Sequence, residues 1–173
     1  MFNQLEDFKS AWKEEFEDTL KVLKAIPDQA LDQSVAPGFR DLRRLAWHLV
    51  DSIGSIAGQI DLQVEGPARN EMGFVVEAPP QRTSPILAAY TRSAESLLEA
   101  LKPWNDGELQ KVDVMYGHLH WKRGMSLFAL LVHQVHHRGQ MTVLMRQAGL
   151  KVPGVYGPAR EEWTTYGMQA PTV

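Results

Sequence analysis

The sequence predicts an all-α protein built as a four-helix bundle, on three observations. Four stretches repeat apolar residues every three or four positions. The prolines fall between or at the ends of those stretches, and only one short segment alternates with the two-residue period of a strand. With 173 residues, 44% apolar and 23% charged, the chain has the size and composition of one globular domain spanning residues 1–173.

The first helix is expected over residues 3–26, where Leu5, Phe8, Trp12, Phe16, Leu20 and Leu23 make one face. Asn3 with Glu6 reads as a capping pair, and Pro27 ends the run. The second, over 40–63, carries Leu42, Leu45, Leu49, Ile53, Ile56 and Ile60. A loop follows over 64–83, broken by Gly66, Pro67, Gly73, Pro79 and Pro80. Ser84 and Pro85 open the third helix, whose inner face is Leu87, Tyr90, Ala94, Leu97 and Leu101, and Pro103 stops it.

Residues 103–124 change period, which predicts either a short hairpin turning near Gly117 or an extended loop. The fourth helix is expected over 125–148, with Gly149 as its C-terminal cap. The tail is rich in Pro and Gly, with one short helix expected near 158–166. The loops after the second and third helices are long enough for crossovers, so up-down-up-down order is not required.

Several function classes drop out on composition. There is no cysteine, which excludes disulfides, thiolate ligands and a cysteine nucleophile of the chain's own. No apolar run reaches the roughly 20 residues of a membrane helix. The acidic, amphipathic start MFNQLEDFKSAWKEE does not read as a secretory signal, so a cytoplasmic setting is expected. Net charge is -3, and the cluster Arg40, Arg43, Arg44 is diluted by Asp41 and Asp51. A nucleic-acid surface needs a broader basic excess.

The fourth helix carries the informative anomaly. Its inward stripe should read Leu127, Leu130, position 133 or 134, then 137, Met141, Leu144 and Ala148, yet 133 and 137 are both histidine. Residues four apart lie about 40° apart around a helix and about 6 Å along it, so two imidazoles can grip one ion. In the second helix His48 lies at the edge of the apolar stripe, beside Leu45, Leu49 and Ser52. One histidine from a facing helix plus the pair makes a three-nitrogen site with open positions. The competing reading is a set of hydrogen-bonded core histidines, each ring needing partners for its polar nitrogens.

The segment His133-Gln134-Val135-His136-His137-Arg138-Gly139-Gln140 resembles the signature of the DinB/YfiT-like family. So do Leu45-Ala46-Trp47-His48-Leu49 and the tail Val152-Pro153-Gly154-Val155-Tyr156-Gly157-Pro158 with Glu162-Trp163. The resemblance covers nearly the whole chain. It implies a four-helix bundle, a zinc or nickel ion on His48, His133 and His137, and a homodimer. It also implies chemistry of the thiol S-transferase or isomerase type, using a low-molecular-weight thiol and a small-molecule substrate. A metal-dependent hydrolase and a non-catalytic, stress-associated metal or ligand-binding protein are the alternatives.

Other residues fill in this reading. Gln134 after His133 departs from the zinc-protease pattern, where a glutamate acts as base. Asp51, three residues after His48, is a candidate acceptor for its ring, and Gln140 a candidate to order a ring or bound water. His136 points about 60° off the pair and is expected to support rather than bind. His118 and His120 are expected as exposed loop residues, with an extra ligand or proton shuttle the lesser reading. Arg138 is expected to pair with an acid or face a dimer partner. Gly54, Gly58 and Gly139 are expected to permit close packing at a dimer surface along the second and fourth helices, and loops 71–77 and 116–121 to line the cavity mouth.

Overall fold

Four α-helices carry the chain in a computed structural model that describes residues 2–172. They are α1 (Leu5–Lys24), α2 (Leu42–Gly58), α3 (Thr83–Ala100) and α4 (Arg123–Gln147), with a two-stranded sheet, β1 (Val112–Met115) and β2 (Leu119–Lys122), ahead of α4. A 3₁₀ helix, Arg160–Tyr166, supplies the short helix of the tail. α2 packs against α4 and α3, and α1 packs against α3 and α4. The bundle therefore runs α1, α3, α2, α4 around its axis, with the first two helices diagonal to each other. None of the helices is long and apolar enough to cross a membrane, among the described residues.

Local chemistry sets each boundary. Asn3 does not cap α1. Gln4 holds that position with no side-chain bond, and the Leu5 N–H donates instead to Asp106 Oδ1 at 2.8 Å, a cap supplied from the connection after α3. α2 starts at a true cap, the Asp41 carboxylate accepting from the Arg44 N–H at 2.7 Å. It ends before the expected residue 63 because Asp61 turns left-handed (φ 61°) and the Leu62 N–H closes on the Ala57 carbonyl at 3.1 Å. Ile60 stays buried all the same, which is why the apolar pattern outran the helix.

The alternating segment is a hairpin. Met115 pairs with Leu119, and Tyr116 and Gly117 make the turn at φ 52° and 77°. α4 ends in a Schellman turn, with Gly149 at φ 73° and the Leu150 N–H donating to the Met145 carbonyl at 2.9 Å.

The core is the set the four stripes name, including Phe8, Trp12, Leu49, Ile53, Tyr90, Leu97, Leu130 and Met141. Among the polar side chains buried on α4, Arg138 and Gln134 tie it to the other helices. Arg138, almost fully buried, forms an ion pair with Glu15 at 2.6 Å, off-line for a hydrogen bond, and donates to Thr19 Oγ1 and to the Tyr156 hydroxyl. It thus faces α1 and pins the tail rather than a dimer partner. Gln134 is fully buried, its amide donating to the Leu49 carbonyl (3.1 Å) and Ser52 Oγ (2.9 Å) of α2 and accepting from Tyr90 of α3 (3.3 Å).

Within this chain Gly54, Gly58 and Gly139 are not crowded by another helix among the described residues. A Cβ at Gly139 or Gly58 would meet nothing within 4 Å, so no helix of this chain approaches closely there. Gly54 lies under the chain's own loop, near the Val64 carbonyl and Arg69.

Gln134→Leu takes the acceptor from the buried Tyr90 hydroxyl and one donor each from Ser52 Oγ and the Leu49 carbonyl, which remain bonded to each other at 3.1 Å. It should cost about 1–3 kcal/mol, read as a lower urea midpoint at unchanged slope. An unchanged midpoint would show that this amide does not lock α4 in register.

Candidate metal centre

α4 brings His133 and His137 to one side of the helix, and α2 carries His48 opposite them. His48 Nε2 and His133 Nε2 lie 3.0 Å apart. The His137 ring centroid is 4.5 Å from each of the other two, and the rings are strongly inclined to one another. One nitrogen from each ring falls within 4.8 Å of the others. Three nitrogens on a tetrahedral ion at 2.0–2.1 Å stand about 3.3 Å apart, so small ring rotations make the set fit a divalent ion.

The neighbours orient two of the rings. His137 Nδ1 is 2.7 Å from Gln140 Oε1, which holds the proton on that nitrogen and leaves Nε2 free to ligate. His48 Nδ1 faces Asp51 Oδ2 at 3.8 Å, too long for a hydrogen bond but an orienting electrostatic contact. The Asp51 carboxylate is itself fixed by Arg69, whose Nη2 contacts Oδ1 and donates to the Asp51 carbonyl at 2.7 Å. Arg69 Nη1 donates to the Gly73 carbonyl at 2.8 Å, so the loop after α2 braces the back of His48.

Gln140 and Asp51 thus stand where their sequence positions placed them. Arg69 was not legible. It is one of several loop arginines, 18 residues beyond Asp51, and no spacing rule joins the two.

Burial, then the neighbouring histidines and Arg40, push the His133 imidazole down to about 4. Burial also lowers His137, with His48, His136 and Arg40 adding to it and the Gln140 contact opposing. Partial burial raises the Asp51 carboxyl, but His48 and Arg69 more than reverse that and leave it below the ordinary carboxylate range. The consequence at neutral pH is a pair of uncharged α4 imidazoles with lone pairs available, the form a metal requires.

The remaining histidines stay apart. His136 is exposed, its ring edge-on to His137 at 4.8 Å. His118 and His120 are exposed on the hairpin, His118 in the turn with Nδ1 against the Tyr116 carbonyl at 2.9 Å. Neither belongs to the cluster.

Beside His137 opens a cavity of about 410 Å³, walled by Val35, Phe39, Leu45, Val143 and Leu144, with Arg40 and Gln140 as its other polar members. Loops 71–77 and 116–121, expected at its mouth, do not line it. The segment ahead of α2 does, because Asp41 caps that helix and turns Val35, Phe39 and Arg40 toward α4.

A model described as the DinB family matches residues 1–171. The chain belongs to the DinB family. YrdA of Bacillus subtilis strain 168, an uncharacterised protein, is 41% identical over 172 residues, 99% of each chain. The crystal structure of a DinB-like protein from Bacillus cereus ATCC 10987 is similar at 36% identity and a TM-score of 0.80. It covers 90% of this chain and all of its own. The family match takes in both histidine-bearing helices, the bracing loop and the tail.

Two outcomes follow. Asp51→Asn and Arg69→Ala should each weaken metal affinity about 10–100-fold without touching a ligand, measured by competition with a chromophoric chelator. Wild-type affinity in both would remove the brace from the site. In metal-free protein, the folded chain holds His133 near 4 against about 6.5 when unfolded. As pH falls from about 6.5 to about 4 the unfolded state takes up the proton first, so stability is lost across that window. Thermal melts of chelated His133→Gln should lose less over it than wild type. Equal losses in the two would contradict this.

Proposed function

We propose that the chain is a metal-dependent enzyme in which His48, His133 and His137 hold one zinc or nickel ion for thiol-transfer chemistry on a small molecule. The observation that carries this reading is the convergence of three imidazole nitrogens beside an open apolar cavity that His137 itself lines. A metal store or purely structural site has no need of that cavity. His48, His133 and His137 would hold a divalent ion with three protein ligands, a number that would leave it able to take a substrate atom as well.

A divalent ion held there supplies Lewis acidity, lowering the pKa of a bound thiol or water. The chain's own residues favour the thiol. Among the described residues no carboxylate lines the cavity, and Asp51 is turned toward His48 and engaged by Arg69, so none of them stands ready as a general base to activate water for hydrolysis. A thiol of ordinary acidity needs only to lose its proton to solvent to become a nucleophile, which attacks an electrophilic carbon and displaces a leaving group. The thiol must come from outside, since the chain has no cysteine. His48 is oriented through Asp51 and His137 through Gln140, and the apolar walls offer a surface for the substrate's apolar part.

The test begins with untagged protein, stripped by chelator and reloaded with zinc or nickel. Wild type should retain about one ion per chain after desalting, and His48→Ala, His133→Ala and His137→Ala should retain little or none. Reloaded wild type should then consume a small thiol and an alkylating electrophile faster than the uncatalysed pair, with the histidine variants at background. Equal metal in all four proteins would overturn the site. Full loading without any thiol turnover would overturn the transferase reading and leave a binding protein.

A further inference from the structure

The cavity beside His137 carries one charged group that its surroundings leave unused. Arg40 is exposed at the end of the segment before α2, and no carboxylate lies within 4.0 Å of it among the described residues. The nearby acids are engaged elsewhere. Asp41 spends one oxygen on the Arg44 N–H and faces Arg43 with the other, and Asp32 pairs with Arg43 at 2.9 Å. The charge of Arg40 is nonetheless felt by His133 and His137, which places it on the same side as the cluster. Opposite it the walls are aliphatic and aromatic, with Phe39 and Val143 both more than half exposed.

We infer that this cavity selects a small amphiphilic anion, its carboxylate on Arg40, its apolar body along Val35, Phe39, Leu45 and Val143, and its reacting end toward His137. The physical case is complementarity on two counts. An apolar wall gains from covering by an apolar body and gives no reason to prefer charge. An arginine without a protein partner supplies that preference, since its planar fork pairs with a carboxylate through two parallel bonds. Neutral substrates of equal size would cover the walls and leave the guanidinium unmatched. The inference rests on the metal reading only for the direction of the reacting end.

The test compares 6-mercaptohexanoate with 6-mercaptohexanol, which share thiol and chain length and differ only in the charged end. Binding to the full chain is followed by amide shifts of Leu45, Val143 and Leu144, in zinc-loaded and in chelated protein. The acid should bind at least about fivefold more tightly than the alcohol in both forms. Arg40→Gln should reduce the preference to under about twofold and Arg40→Lys should restore part of it. Arg44→Gln, in the first turn of α2 and outside the cavity, should leave it intact. Equal affinity for the two thiols, survival of the preference in Arg40→Gln, or equal loss in Arg40→Gln and Arg44→Gln would each overturn the inference. Zinc content is measured on every variant. A wild type that takes up no zinc would overturn the metal reading, while the chelated arm still decides this one.

Discussion

Everything at the candidate site depends on the register of α4 against α2, and one buried amide fixes it. Gln134 donates to the Leu49 carbonyl and to Ser52 of α2 and accepts from Tyr90 of α3. These partners sit in the dry centre of the bundle, where an unmatched donor or acceptor is costly, so sliding α4 by one residue would break all three bonds together. His133 precedes Gln134 in sequence and His48 precedes Leu49. Locking 134 onto 49 therefore brings 133 and 48 face to face, with their Nε2 atoms 3.0 Å apart. His137 follows one turn on and closes the triangle. The histidines converge because the residues next to them are core.

The second constraint is electrostatic. Burial, and then the crowding of one nitrogen from each ring within 4.8 Å, disfavour the charged forms of His133 and His137. The chain makes no attempt to relieve that penalty with a facing carboxylate. The one nearby acid, Asp51, meets the outer edge of His48 and is balanced by Arg69. The two α4 imidazoles are held below their ordinary range, and one nitrogen of each of the three rings lies within 4.8 Å of the others with no carboxylate among them. A divalent cation resolves that arrangement, and the same logic explains why Arg40, close to the cluster but outside it, further disfavours protonation.

Much of this was legible in the sequence, for identifiable reasons. The helices follow from apolar spacing, and His133 and His137 stood out because they occupied stripe positions reserved for apolar residues, with His48 at the edge of the facing stripe. Gln140 and Asp51 could be named because a helix puts residues three apart side by side. The illegible parts all depend on contacts between distant segments. The cap on α1 comes from Asp106, the brace on His48 from Arg69, and the cavity wall from Val35 and Phe39 rather than the longer loops. Gln134 was noticed only for what it ruled out. A glutamine on an apolar stripe was itself the signal of a buried polar lock. Composition also cannot tell a crowded glycine from an exposed one: Gly139 is not approached from within this chain among the described residues, and packing of a second copy there is a separate matter.

The central claim is that one ion sits on these three rings with room left for a substrate. X-ray absorption at the metal edge of zinc-loaded protein tests it most directly. The account predicts three imidazole nitrogens at about 2.0–2.1 Å, completed by one or two exchangeable light atoms. A first shell with one imidazole or none, or a closed shell of four protein ligands, would contradict it.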